Sequence, residues 1–329
     1  MQHKKTHLLA LALILASTFA VFDLAARTGY GQSASKQKVS EIQKTSEGAD
    51  AASGLQPTAA VRERRAATPV SKEDSAAIFG AAIARNMQLK YELEWQFGGK
   101  QQHGWYLYVP LISRLIETDK DAATNDFASS LSRWQKGAGL QADGILDDET
   151  LYRMVSEWQG ARLKDKTEPR PDQLLVAPVA DFYDPSRPDE LRQVERETYA
   201  AYKRLVAAAL ADKSLGLKAT AGGELAPEEK FLKIVSSFRS HAYQEHLRQQ
   251  SPNSGRAGLA VNSPHSTGRA LDLYVGGEPV ETKDANRALQ IQTPIYQWLV
   301  RNADRFGFRP YYYEPWHWEY VGNLNAANK

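Results

Sequence analysis

The 329-residue chain carries 41 Lys and Arg against 39 Asp and Glu, and a formal net charge of +2 gives no electrostatic case for a nucleic-acid partner. It contains no cysteine, which excludes structural disulfides, thiolate metal sites, a cysteine nucleophile and a lipid-modified N-terminal cysteine. The length suits about two domains with accessory segments, at roughly 100–200 residues each.

Lys4 and Lys5 precede an apolar run at residues 8–22. A basic start followed by about 15 apolar residues suits an export signal better than a full membrane span, which takes roughly 20. Residues 1–26 are therefore expected to be a signal peptide or an N-terminal membrane anchor, with Ala20, Ala25 and Ala26 available at a cleavage point. Export to the periplasm or cell envelope is expected, with this segment as a candidate membrane tether. Residues 27–74 are rich in Ala, Ser, Gln, Lys and Glu and poor in large apolar side chains. Such a stretch buries too little surface to offset its ordering entropy, and a disordered linker is expected. Residues 33–36 spell the S-x-x-K of penicillin-binding enzymes, but no K-T-G or S-D-N accompanies them, and a tether cannot preorganise a nucleophile.

Ordered structure is expected from Ser75, where SAAIFGAAIARNMQL reads as a helix. A long apolar run follows at residues 105–116. Phe127, Leu131 and Trp134 then recur at helical spacing, and Gly137 and Gly139 end that helix. Asp143 and Gly144 mark a turn, and Asp147 or Asp148 caps a second helix carrying Leu151 and Val155. Helix, D-G turn and helix over residues 126–155 resemble the small peptidoglycan-binding module of bacterial wall enzymes. On that resemblance, residues 75–163 are expected to form a helical peptidoglycan-binding-like domain. Residues 164–188, rich in proline and charge, read as a linker, and residues 191–210 as an amphipathic helix.

The chemistry lies in residues 189–329, in SSFRSHAYQ, SPHSTGRALDLYV and YYYEPWHWEY. LDLYV alternates apolar residues and favours a strand, with Asp272 between Leu271 and Leu273. His265 stands seven residues earlier; extended, those steps would span about 23 Å. The loop must fold back to bring the two together, and Gly268 permits it. An imidazole and a carboxylate so joined are two ligands of a mononuclear zinc site.

A catalytic zinc needs a third protein ligand, an open position and a base. The YYYEPWHWEY stretch crowds aromatic rings around His317, Glu314 and Glu319, and buried charge in such surroundings needs a partner or a task. His317 supplies the third ligand and either glutamate the base; spacing does not choose between them. Pro315 breaks a regular strand and lets Glu314 and His317 converge. His241 and His246 make a poor metal pair, since five helical residues set them about 140° apart. No H-E-x-x-H occurs.

S-x-H-x-x-G-x-A-x-D-L followed by E-P-W-H-W-E-Y resembles the VanY-type zinc D-alanyl-D-alanine carboxypeptidases. The resemblance implies His265, Asp272 and His317 as zinc ligands, Glu314 as catalytic base and Glu319 as a supporting carboxylate. It implies that Arg239, in F-R-S-x-x-x-Q, binds the carbonyl region of the substrate and stabilises developing charge. Gln244, Ser263 and Trp316 are the expected substrate contacts. The implied fold is α+β, a small antiparallel sheet with flanking helices holding a mononuclear zinc site, preceded by a small helical domain. The implied reaction is hydrolysis of the terminal D-Ala–D-Ala bond of peptidoglycan stem peptides. An L,D-carboxypeptidase, a dipeptidase or an endopeptidase on the same site are the alternatives within the chemistry. A non-catalytic wall-binding protein is the alternative outside it, and it leaves Glu314 and Arg239 without a purpose.

Overall fold

The structure, a computed structural model, describes residues 72–250 and 262–322. The expected export signal or anchor at residues 1–26, and the linker after it up to residue 71, lie outside the described residues. Among the described residues no helix is long and apolar enough to cross a membrane.

Helix α1 (Lys72–Glu92) leads into a hairpin of β1 (Glu94–Phe97) and β2 (Lys100–His103). Gly98 and Gly99, at φ +60° and +79°, make its two-residue turn, which requires positive φ at both positions. The apolar run at residues 105–116 folds as a short 3-10 turn and then helix α2 (Val109–Leu115). Helix α3 (Asn125–Gly137) and helix α4 (Asp148–Gly160) follow, with the side chains of Thr124 and Asp147 accepting from the amides of Phe127 and Thr150. Each satisfies an N–H that the helix itself leaves unpaired.

The D-G turn between α3 and α4 is stitched from both sides. Buried Gln135 donates to Ile145 O at 2.9 Å and accepts from Gly144 N at 2.8 Å. Asn86 of α1 donates to Gly144 O and accepts from Leu146 N, each at 2.8 Å. Gly144 sits at φ +74°, and a Cβ there would meet Ala128 O at 2.6 Å.

Residues 164–188 contribute strand β3 (Leu174–Val176), which pairs antiparallel with β4 (Gln193–Glu195). Helix α5 (Arg196–Ala211) begins five residues after the expected 191, because residues 193–195 are taken by β4. Glu195 caps the helix, accepting from Glu197 N and Thr198 N.

The central sheet is antiparallel, formed by β5 (Ile234–Ser236), β6 (Ala270–Leu273), β7 (Phe308–Pro310) and β8 (His317–Tyr320) in the order β5-β6-β8-β7. Helices α6 (His241–Gln250), α7 (Asp284–Gln292) and α8 (Pro294–Asn302) complete the described elements. Mixed helices and small antiparallel sheets agree with the expected α+β class.

Leu271 and Leu273 are fully buried on β6, as the alternation predicts, each side chain contributing about 1.5–3 kcal/mol of apolar burial. The upstream helices pack directly on the aromatic stretch, within the unit spanning Val70–Lys329. Phe97 meets the rings of Tyr311, Tyr312 and Tyr313 at centroid distances of 6.3, 4.9 and 5.3 Å. Trp158 of α4 meets Tyr312 at 5.7 Å, and Arg114 of α2 pairs with Asp304 at 3.1 Å.

Candidate metal centre

Asp272 and His317 face each other as register partners of β6 and β8, which sets their side chains on one face of the sheet. His265 arrives from a 3-10 turn, Pro264–Thr267, that Ser263 caps by accepting from His265 N. That turn ends at Gly268, φ +66°, where a Cβ would lie 3.0 Å from Glu195 N. The chain reverses there into β6, so the loop folds back as the seven-residue spacing requires. Glu314 stands in a tight turn closed by His317 N donating to Glu314 O at 3.0 Å, with Pro315 at its second position. Buried Arg287 of α7 donates to Tyr313 O at 3.0 Å and holds the start of this turn.

One ligand atom each from His265, Asp272 and His317 lie within 4.8 Å of one another, all on buried side chains. Nδ1 of His317 lies 3.0 Å from Asp272 Oδ1 and 3.2 Å from His265 Nε2, which is 3.3 Å from the same Oδ1. The outward nitrogens have fixed acceptors: His265 Nδ1 faces Ser237 O at 2.7 Å, and His317 Nε2 faces Glu319 Oε1 at 3.2 Å. With its outward nitrogen donating, a neutral ring turns its lone pair inward, the tautomer a metal ion requires. Two imidazole nitrogens and a carboxylate oxygen, all on buried side chains, could together hold a divalent metal ion.

Burial, and then the Arg239 charge, push His265 down to about 4, so the ring is neutral in the physiological range. Burial opposes the charge on Asp272, but His265, His317 and Arg239 outweigh it and hold the carboxyl well below its usual range. Burial also opposes a proton on His317; hydrogen bonds to Asp272 and Glu319 outweigh that and raise it to about 9. Burial pushes Glu314 up to about 8, with His317 pulling the other way; its Oε2 lies 4.0 Å from His317 Nδ1.

Arg239 donates to Asp272 Oδ2 at 2.8 Å, to Ser236 Oγ at 3.0 Å and to Gln244 Oε1 at 3.3 Å. The structure thus brings Arg239 and Gln244 to the cluster, with Ser263 two residues from His265. Trp316 is buried in the apolar core beside it, its carbonyl accepting from Leu273 N at 2.8 Å. His241 and His246 stand apart from the cluster, beside Glu168 and Gln250 respectively.

Sequence reasoning missed Ser237, whose carbonyl orients His265, and Arg162 and Leu163, which hold Glu319. Glu319 is fully buried; it accepts from Leu163 N at 2.9 Å and from Arg162 Nε at 3.0 Å, with Arg162 Nη2 on the same oxygen. Burial opposes its charge, and His317 and Arg162 together hold it well below the usual carboxylate range. No local pattern marks Arg162, which stands 157 residues upstream of its partner.

No curated protein matches the chain. A family model does match part of it, over a stretch that includes Arg239, His265, Asp272, Glu314 and His317 but neither the upstream helices nor Arg162. Residues 192–323, from just before β4 to just past β8, match the VanY family model, described as D-alanyl-D-alanine carboxypeptidase.

Proposed function

We propose that this protein is a zinc peptidase that removes the terminal D-alanine from peptidoglycan stem peptides ending in D-Ala–D-Ala. The observation that carries the reading is the buried His265, Asp272 and His317 cluster with the Glu314 carboxylate 4.0 Å from His317, inside the stretch matched by the VanY family model. Zinc held by those three residues supplies Lewis acidity to a water and to the scissile carbonyl.

Glu314 accepts the proton of the attacking water at a carboxylate oxygen. Its pKa of about 8 suits a group that takes and returns a proton near neutrality. The hydroxide adds to the carbonyl carbon, the C–N bond breaks, and Glu314 delivers the proton to the departing amine of D-alanine. Arg239, held beside Asp272, faces the carbonyl oxygen as negative charge develops there. Gln244, Ser263 and Trp316 form the walls that receive the terminal residue.

Residues 75–163 bind peptidoglycan in this reading and raise the local concentration of stem peptides. Residues 1–26 direct the chain to the envelope, where that substrate is found.

The test is D-alanine release from a pentapeptide stem ending in D-Ala–D-Ala, comparing wild type with Glu314→Ala and measuring zinc content in both. Release that a chelator abolishes, with Glu314→Ala inert yet zinc-loaded, supports the reaction and the base. A zinc-loaded wild type that frees no D-alanine but cleaves cross-linked muropeptides would make the protein an endopeptidase instead.

A further inference from the structure

Glu319 lies behind the His265, Asp272 and His317 cluster, and besides His317 its carboxylate is held by Arg162 and Leu163, just after α4. Arg162 Nε and Nη2 both donate to Oε1, and Leu163 N donates to Oε2 at 2.9 Å. The remaining approach to Oε1 is taken by His317 Nε2 at 3.2 Å. The Arg162 guanidinium also sits 3.9 Å from the centroid of the Tyr311 ring, which lies 5.8 Å from the His317 imidazole. Arg162 and Leu163 follow α4 directly and lie outside the matched residues 192–323.

We propose that Arg162 and the Leu163 amide are a positioning clamp for the metal centre, acting through Glu319 on His317. The proposal rests on reading His317 as a metal ligand. A carboxylate accepting from three fixed donors keeps one orientation, so it holds the His317 ring with Nε2–H outward and Nδ1 toward His265 and Asp272. Without Arg162 the carboxylate keeps only the Leu163 amide of its three fixed donors, and its freedom to turn removes the acceptor that orients the ring.

A staple that merely joins the upstream helices to the sheet would not need this placement. Phe97 on the tyrosines, Trp158 on Tyr312 and Arg114 on Asp304 already join the two parts without touching Glu319 or His317. The upstream helices thus complete the site itself, beyond any part they play in holding substrate.

The test measures the Zn2+ dissociation constant of the full chain by competition with a chromophoric chelator. Arg162→Met is expected to raise it roughly 10- to 100-fold. Arg162→Lys, which keeps the charge but loses the two-nitrogen grip, is expected to fall between. Arg114→Met removes an ion pair between the same two parts and is expected to stay within about twofold of wild type. In a Glu319→Gln background, Arg162→Met is expected to add little, because the clamp acts through that carboxylate.

On soluble pentapeptide the Arg162 variants are expected to lower kcat with little change in KM. An unchanged dissociation constant in folded Arg162→Met overturns the proposal, as does an equal loss in Arg114→Met or full additivity with Glu319→Gln. If Arg162→Met does not fold, a wild-type constant in Arg162→Lys overturns it. The zinc readout is independent of substrate: the expected order of constants without D-alanine release would sink the carboxypeptidase reading and leave the clamp standing. A wild type that binds no zinc would sink both.

Discussion

Arg239 and Asp272 share a charge-assisted hydrogen bond of 2.8 Å at Oδ2, while Oδ1 of the same carboxylate faces Nε2 of His265 and Nδ1 of His317. One oxygen is thereby kept for a guanidinium and the other for the cluster. Strand pairing builds this arrangement, because Ser236 is the register partner of Asp272 and its hydroxyl accepts from Arg239 Nε at 3.0 Å. A guanidinium just past the end of β5 and a carboxylate on β6 are thus set side by side.

Arg239→Met leaves Oδ2 of Asp272 without its partner in a buried site. It is expected to lower turnover about 100-fold and to destabilise the fold by about 1–3 kcal/mol. Arg239→Lys restores the charge but not the donors to Ser236 and Gln244, so stability is expected to recover further than turnover. Thermal melts and D-alanine release together separate the two effects.

Glu314→Gln keeps the shape of the side chain and removes its basicity. Turnover is expected to fall by a factor of about 100 to 10,000, with zinc content unchanged. Metal analysis alongside kinetics checks this, and loss of zinc would instead make Glu314 a ligand.

Metal uptake should displace a proton from His317. In chelator-treated protein this ring holds its proton up to about pH 9, against an ordinary value of 6.5. That raised pKa stabilises the folded protein fully below about pH 6.5, and the contribution is lost as pH rises through about 9. Zinc must remove the same proton, so this ring by itself is expected to add about a tenfold gain in affinity per pH unit up to about pH 9 and nothing above it. His265, lowered to about 4, adds no slope in this range. Glu314, raised to about 8, gives up a second proton in the field of the cation, and the Glu314→Gln variant isolates the first. Zinc titrations between pH 6 and 10, with an indicator for released protons, provide the measurement.

Gly268→Ala places a side chain at φ +66° with its Cβ 3.0 Å from Glu195 N. The backbone conformation alone costs about 1–2 kcal/mol, and displacement of the turn carries His265 with it. Stability and zinc affinity are both expected to fall. Gly139→Ala, at φ +76° with open space around it, is expected to lose stability but retain zinc affinity. Denaturant melts and chelator competition distinguish the pair.

The short-range features were legible in the sequence because their causes lie within a few residues. Periodicity marked the helix through Phe127, Leu131 and Trp134, and Asp147 announced the next helix as its cap. The alternation of LDLYV placed Leu271 and Leu273 in the core, and the His265 to Asp272 spacing demanded a reversal that Gly268 provides. Residue types and spacing singled out His265, Asp272 and His317, which the structure brings together. Helix α5 starts later than its periodicity predicts because the pairing of β4 with β3 claims the preceding residues, and such pairing depends on a partner outside the local window.

Spacing could not distinguish Glu314 from Glu319, and the tertiary structure separates their surroundings. Glu314 lies near the inward nitrogen of His317, whereas Glu319 meets the outward one and is held by Arg162 and Leu163. Local pattern determines which groups a chain can offer to a site. Docking of an upstream helix end against a distant strand decides how those groups are aimed and charged, since burial and charge pairing arise only when the surfaces meet.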